Sequence, residues 1–252
     1  MSDQDQFAKV APFYDELMSG VPYIWWVGYL QVLLDKYEAT PTKILDVACG
    51  TGSVTELLYV DDYEVTGIDI SEPMIDVAKL KAEHQGFNIP YYAQDVAELN
   101  LDDSFELAIS FFDSLNYVND PERLQLGFHR IAAHLLPKSL FIFDLNTVYA
   151  LENRLFDQEL LTKNNPVRYR WRSSFDQQTR LCDIKMEFWV MEGETENAFT
   201  IVHRQRAYSD KEITEMLNKA GFDLLAVYQS YTLKRPRRTA DRVHYVAKLR
   251  GK

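Results

Sequence analysis

Two carboxylates, Asp46 and Asp69, flank the short glycine stretch Gly50-Thr51-Gly52. The apolar run from Ile44 through Val47 reads as a strand that enters the glycines directly, and Val54, Leu57 and Leu58 follow at helical spacing. Glycines at a strand–helix turn let a ligand approach the backbone, and the helix N-terminus offers N–H groups without intrahelical partners. A dinucleotide site at such a turn needs a third glycine, at position 55, where this chain has Thr. Asp46, just before the turn, would repel a diphosphate and attract a cation. Asp69 closes a second apolar run about 20 residues on, where a carboxylate accepts the two hydroxyls of a ribose. The turn is therefore expected to take a ribose-bearing ligand with a positive charge and no diphosphate.

Other residues with chemical potential lie on either side of this turn. Ahead of it, Phe13-Tyr14-Asp15-Glu16-Leu17-Met18 and then Tyr23, Trp25 and Trp26 form an unusually aromatic leader. Aromatic faces attract cations and exclude water, so a lid over the site is expected from residues 1–40. After the fourth apolar run comes Phe111-Phe112-Asp113-Ser114-Leu115-Asn116-Tyr117. Ligands of open α/β sheets sit beyond the carboxyl ends of the strands, so Asp113, Asn116 and Tyr117 are candidates to hold a nucleophile. Tyr is a weaker base than His near neutral pH, which makes positioning the role expected of Tyr117. His129 and His134, five apart on one helix, are read as surface or packing residues, and His203 as part of a solvated strand face shared with Gln205. Cys49 is read as a small buried residue.

The elements that must position these groups can be read from pattern. Lys43–Val47, Glu64–Asp69, Ile89–Ala93, Phe105–Phe111 and Ser139–Asp144 are apolar without strict alternation, as parallel strands covered on both faces are. A helix capped by Ser71 and ended by Gly86, and another opened by Asp120-Pro121 and stopped by Pro137, lie between them. Repeated strand–helix units imply an α/β, doubly wound, mostly parallel sheet. From about 166 to 208 the texture changes to long strands, Val167–Phe175, Arg180–Val190 and Ala198–Tyr208, which read as an inserted antiparallel β segment. A helix over Asp210–Ala220 with Gly221 behind it, and strands Phe222–Leu233 and Arg242–Leu249, close the chain. The 252 residues are read as a single domain: a lid (1–40), a cofactor-binding core (41–150), the insertion (166–208) and closing elements (209–252).

Composition excludes several classes. The chain carries 27 Lys and Arg against 38 Asp and Glu, so a general binder of phosphate backbones is not expected. Residues 1–150 hold 8 basic and 24 acidic side chains, and residues 151–252 hold 19 and 14, so the two parts neutralise each other in one fold. The basic turn Lys234-Arg-Pro-Arg-Arg238 is read as a solvated loop. Two cysteines cannot build a disulfide framework, the start MSDQDQFAKV shows no signal-peptide pattern, and no apolar run approaches the ~20 residues of a membrane span. A cytoplasmic location and no membrane contact are expected.

At this point a resemblance is visible. Asp46-Val-Ala-Cys-Gly-Thr-Gly52 resembles motif I of the class I S-adenosylmethionine-dependent methyltransferases, Gly67-Ile-Asp-Ile-Ser-Glu-Pro-Met74 their second motif, and Ala93-Gln-Asp-Val96 their adenine-contacting turn. The lid is similar to that of the small-molecule branch, including aminosugar N-methyltransferases and glycine N-methyltransferase-like enzymes. The resemblance covers about residues 40–146 and implies a seven-stranded Rossmann-like methyltransferase fold with S-adenosyl-L-methionine as cofactor. By it, Asp46 and the backbone around Ala48, Gly50 and Gly52 hold the methionine moiety, and Asp69 binds the ribose. Ile70 and Met74 flank the adenine, Phe112 is a further cofactor contact, Asp95 accepts the adenine amino group, and the Val96 N–H meets a ring nitrogen. Tyr14 would orient the methyl group, beside Asp113 and Tyr117 as catalytic candidates. Transfer to nitrogen or oxygen of a small-molecule acceptor is the expected reaction. The Asn/Asp-Pro-Pro-aromatic tetrad of amino-methylating DNA and RNA enzymes and the Pro-Cys pair of cytosine-C5 enzymes are absent, which argues against nucleic acid; macromolecular RNA or protein substrates, or a module that binds the cofactor without transferring methyl, are the lesser alternatives. Asp144-Leu-Asn146 lacks the adjacent Asp-Asn pair of the Mg²⁺-dependent catechol-type enzymes, so no metal is expected. Exposed edges of the inserted strands offer a homodimer contact.

Overall fold

The computed structural model describes residues 5–162, 165, 167–192 and 195–251. The first four residues of the expected lid and position 166, the expected start of the insertion, lie outside them. Among the described residues, no helix is long and apolar enough to cross a membrane.

Seven strands form the main sheet: β1 Lys43–Val47, β2 Glu64–Asp69, β3 Tyr91–Ala93, β4 Phe105–Ser110, β5 Leu135–Asn146, β10 Phe222–Gln229 and β11 Arg242–Leu249. Their order is β10-β11-β5-β4-β1-β2-β3. The five strands from β3 to β5 are parallel, while β11 runs antiparallel to both β5 and β10. The order reverses between β1 and β4, the crevice where doubly wound sheets bind ligands.

Helices cover both faces, as the unalternating apolar strands require. On β5, Phe141 and Phe143 face Leu124, Phe128 and Ile131 of one helix, α6 (Pro121–Ala133), and Ile213 and Leu217 of another, α8 (Asp210–Lys219). Leu140 and Ile142 alternate to the opposite face, where α3 (Tyr23–Lys36) and α4 (Ser53–Val60) bring Leu30, Leu33 and Leu58. Helix α5 (Glu72–Gln85) begins after Ser71 and ends at Gly86, whose φ of 72° is the left-handed cap conformation. Ser71 differs from the expected cap: its side chain makes no capping bond, and its backbone N–H donates to Asp69.

The second sheet, ordered β6-β7-β8-β9, is antiparallel and leaves the chain between β5 and α8. It contains β6 Gln158–Leu160, β7 Val167–Asp176, β8 Leu181–Glu192 and β9 Thr195–Arg206. The insertion therefore starts earlier than 166. The three-residue strand β6, Gln-Glu-Leu, is too short to show a periodicity of its own and is defined by pairing with β7. The short helix α7 (Val148–Glu152), capped by Thr147, precedes it.

Two boundaries differ for a common reason. Helix α6 ends at Ala133, and Pro137 lies inside β5 instead of stopping the helix. The β4–β5 register shifts between Phe105 and Leu107, and a strand tolerates proline at such an irregularity because no ladder N–H is needed there. The N-terminal segment folds as two short helices, α1 (Asp5–Ala8) and α2 (Tyr14–Leu17), before α3.

Candidate functional site

A cavity of about 560 Å³ opens at the carboxyl ends of β1, β2 and β4, within the range of small-molecule sites. Its floor is the glycine turn and the β4 loop, its roof is the N-terminal helices, and its far wall is the inner face of the second sheet.

The glycine turn is held by its own carboxylates. Asp69 accepts from the backbone N–H of Gly50 at 2.8 Å and of Ser71 at 2.8 Å, tying the two strand–helix turns together. Burial pushes its carboxyl upward, and those backbone donors oppose the rise. Asp46 accepts from the Thr55 hydroxyl at 2.6 Å. Position 55 thus does different work here from the third glycine of a dinucleotide site: it orients a carboxylate. Burial pushes the Asp46 carboxyl up to about 7, against the Thr55 hydrogen bond. Ala48 and Gly50 hold φ of 59° and 56°, which turns the backbone between the two acids.

Asp46, Ala48, Gly50, Asp69, Ile70 and Met74 all reach the cavity wall, as do Tyr14, Phe112, Asp113 and Tyr117. Gly52, Asp95 and Val96 do not. Gly52 has φ of 80°, and a Cβ there would collide with the Tyr91 hydroxyl, so its absent side chain serves packing under the turn. Asp95 accepts from the Ala97 N–H at 2.8 Å through one oxygen and pairs with Arg123 at 2.5 Å through the other. Trp25 points outward, 78% exposed, while Trp26 lines the cavity and packs against Phe112 at 5.0 Å between ring centres. Cys49 also lines it, its thiol pushed up by burial.

The lid is latched to the glycine turn. Asp15 of α2 accepts from the Thr51 hydroxyl at 2.5 Å and pairs with Lys81 of α5 at 2.8 Å. Lys81 also donates to the Thr51 carbonyl at 3.1 Å. These groups are partly exposed, and exposed ion pairs contribute about 0.2–1 kcal/mol each. Asp15→Ala is therefore expected to leave thermal stability nearly unchanged while speeding release of S-adenosylhomocysteine about fivefold in stopped-flow measurements. An unchanged release rate would mean that the lid does not gate the site.

The β4 loop is built on strain and buried charge. Phe112 and Asp113 adopt consecutive left-handed conformations, φ 68° and 51°, at about 1–3 kcal/mol each. Arg242, the first residue of β11, compensates by pairing with both Asp113 and Asp144, the latter at 2.7 Å, with its guanidinium over the Phe112 ring. Burial lowers the Arg242 pKa, but the two carboxylates outweigh it and push it up. Burial pushes Asp113 up to about 6, opposed by Arg242. The second Asp113 oxygen accepts from the Gln205 amide at 2.5 Å. With both oxygens engaged, Asp113 anchors the loop. Asn116 is likewise committed: its amide donates to the carbonyls of Arg206 at 2.9 Å and Asn146 at 3.3 Å, and its oxygen accepts the Asn146 N–H. Arg242 and Gln205 leave no local signal as partners of Asp113, because 129 and 92 residues separate them from it.

His203 corrects the expectation of a solvated face. It is 3% exposed, shares the inner face of β9 with Gln205, and lines the cavity with its Nδ1 3.3 Å from the Tyr117 hydroxyl. His134 is buried too, accepting the Leu101 N–H through Nε2 at 2.9 Å.

Comparison with known proteins agrees with this geometry. Residues 44–138 match a family described as a methyltransferase domain. A protein of Geobacillus sp. (strain WCH70) that bears the name methyltransferase is 32% identical over 246 residues, covering 96% of this chain and 99% of its own. The crystal structure of an S-adenosylmethionine-dependent methyltransferase from Clostridium acetobutylicum ATCC 824 superposes with a TM-score of 0.86 at 29% identity, over 97% of this chain and 99% of that one. A sugar N-methyltransferase from Streptoalloteichus sp ATCC 53650, at 17% identity over 94% of this chain and 93% of that one, shares the fold with a TM-score of 0.77. A glycine turn held between two buried carboxylates at the β1–β4 switch point, in a chain matched end to end by such relatives, places this protein in the class I S-adenosylmethionine-dependent methyltransferase family.

Proposed function

We propose that the protein transfers the methyl group of S-adenosylmethionine to nitrogen or oxygen of a small-molecule acceptor held in the same cavity. The observation that carries this reading is the continuity of one cavity from the glycine turn, with Asp46 and Asp69, to a chamber closed by α1, α2 and the second sheet. Asp69 would hold the ribose hydroxyls, and the Asp46 carboxylate would face the ammonium of the methionine end. Ile70, Met74 and Phe112 would bracket the nucleoside. The cofactor supplies a methyl carbon already activated by sulfonium. What remains for the protein is alignment and exclusion of water, which the aromatic roof of Tyr14 and Trp26 provides. Burial pushes the Tyr14 hydroxyl well above its ordinary value, so it stays a neutral donor beside the transfer site.

The test is isothermal titration followed by label transfer. S-adenosylmethionine is expected to bind one to one, and Asp69→Ala to weaken it at least tenfold, through loss of the ribose acceptor and of the Gly50 and Ser71 bonds. With methyl-labelled cofactor and cell extract, label should appear in low-molecular-mass products. No binding heat, or label confined to RNA or protein, would contradict the reading.

A further inference from the structure

The cavity extends well past its two carboxylates. Strand alternation sends Trp171 of β7 and Ile184, Met186 and Phe188 of β8 to the inner face of the second sheet, opposite Phe7 of the lid and Phe156. This half is apolar and rich in rings. Its charged lining residues are Asp113 and Arg242, and they are already paired, with Gln205 on the remaining Asp113 oxygen. A charged acceptor would shed its water here and find no uncommitted counter-charge among the described lining residues, which disfavours cations and anions alike. Besides the Gln158 amide, the Tyr169 hydroxyl and the Trp171 indole N–H, the wall carries a coupled polar pair, Tyr117 with His203 behind it, the hydroxyl 3.3 Å from Nδ1 and the two ring centres 5.6 Å apart. Phe7 packs on both rings and fixes them, at 5.1 Å from Tyr117 and 4.5 Å from His203. A buried Tyr alone stays protonated, because burial pushes its pKa up, and so it has no vacant site for a second proton. A Tyr whose own proton is directed at an imidazole nitrogen can accept one while passing the other on.

We propose that this half of the cavity takes an uncharged, ring-bearing acceptor, and that Tyr117, backed by His203, receives the proton of that acceptor's hydroxyl group. The inference rests on the cofactor reading above and adds to it the acceptor class and an oxygen nucleophile. In the transfer, the acceptor O–H bond breaks and its proton moves to the Tyr117 oxygen as the Tyr117 proton moves to His203 Nδ1. The freed electron pair forms the bond to the sulfonium methyl carbon, and the C–S pair stays on sulfur as a neutral thioether. The imidazolium then returns its proton to water. His203 acts through Tyr117 and is a positioning residue, whereas Tyr117 touches the substrate.

The experiment uses the full chain saturated with S-adenosylhomocysteine and four probes of one shape: 2-naphthol, naphthalene, 2-naphthoate and 2-naphthylmethylammonium, read by fluorescence titration. The neutral naphthol is expected to bind at least about tenfold tighter than either charged probe, and about fivefold tighter than naphthalene, as one net hydrogen bond gives. Tyr117→Phe and His203→Phe should abolish the preference for naphthol over naphthalene while leaving naphthalene affinity intact, which also reports that the chamber is folded. His203→Gln, which keeps an acceptor for the Tyr117 hydroxyl, should restore most of the preference. Tighter binding of a charged probe, or a naphthol preference that survives Tyr117→Phe, overturns the proposal while leaving the cofactor reading intact. Failure of S-adenosylhomocysteine to bind in the first step overturns both.

Discussion

Asp46→Asn should raise the melting temperature of the cofactor-free protein at pH 8 and, in the same variant, weaken S-adenosylmethionine at least tenfold. Burial holds the folded-state pKa of Asp46 at about 7, despite the Thr55 hydrogen bond. In the unfolded chain an Asp titrates near about 3.9. Between those values the folded protein keeps a proton that the unfolded chain has released, so stability falls as pH rises. Above pH 7 the whole cost is in place, about 4 kcal/mol for a shift of about three units. Asn carries no such cost. For a chain of this size the gain corresponds to roughly 8–16 °C at pH 8, shrinking to nothing near pH 4. The cofactor reverses the balance, because an ammonium beside the carboxylate favours its ionised form. Wild-type affinity should therefore fall about tenfold for each pH unit below 7, and the affinity of Asp46→Asn should stay flat. A flat wild-type profile between pH 5 and 7 would contradict the assignment of Asp46 to the cationic end of the cofactor.

The second large effect is expected at Arg242. Its guanidinium is the counter-charge for both Asp113 and Asp144, and all three side chains are almost fully enclosed. Arg242→Met leaves two carboxylates facing each other without a partner, at a loss of about 3–5 kcal/mol. Thermal denaturation should show a drop of roughly 10 °C or more. The triple variant Arg242→Met, Asp113→Asn, Asp144→Asn should recover most of that loss, since no unpaired charge then remains. If the triple variant melts no higher than Arg242→Met, lost packing of the Arg242 stem over Phe112 is the cause and the charge argument fails. The network continues through Gln205 and Asn146, so the single variant should also loosen the second sheet, measured as faster amide exchange along β9.

Local signals were legible where one physical cause dominated. The strands Lys43–Val47, Glu64–Asp69 and Arg242–Leu249 agree to the residue with their apolar runs, because burial on both faces leaves no other reading of those segments. The long inserted strands announced themselves by aromatic and β-branched content. Asp46 and Asp69 were legible because turn chemistry is local: each lies within a few residues of a glycine or a helix start. Strand β6 was not, since three residues, two of them polar, carry no period. The Asp15–Lys81 latch, the Arg242 pairs and the Tyr117–His203 contact join residues between 66 and 129 positions apart, a relation fixed by tertiary packing. His203 shows the difference well. Alternation placed it correctly beside Gln205 on one face of its strand, but which face met water depended on the lid helices, and Phe7 covers it.

Where the cofactor lies decides the roles of Asp46 and Asp69, and a crystal structure with S-adenosylhomocysteine bound measures that directly. The expected electron density has the ribose hydroxyls on the Asp69 carboxylate, the amino acid end against the Ala48–Gly50 backbone with its ammonium toward Asp46, and the sulfur directed at the chamber of Tyr14 and Tyr117. Density elsewhere, or with either carboxylate turned away from the bound nucleoside, would contradict it.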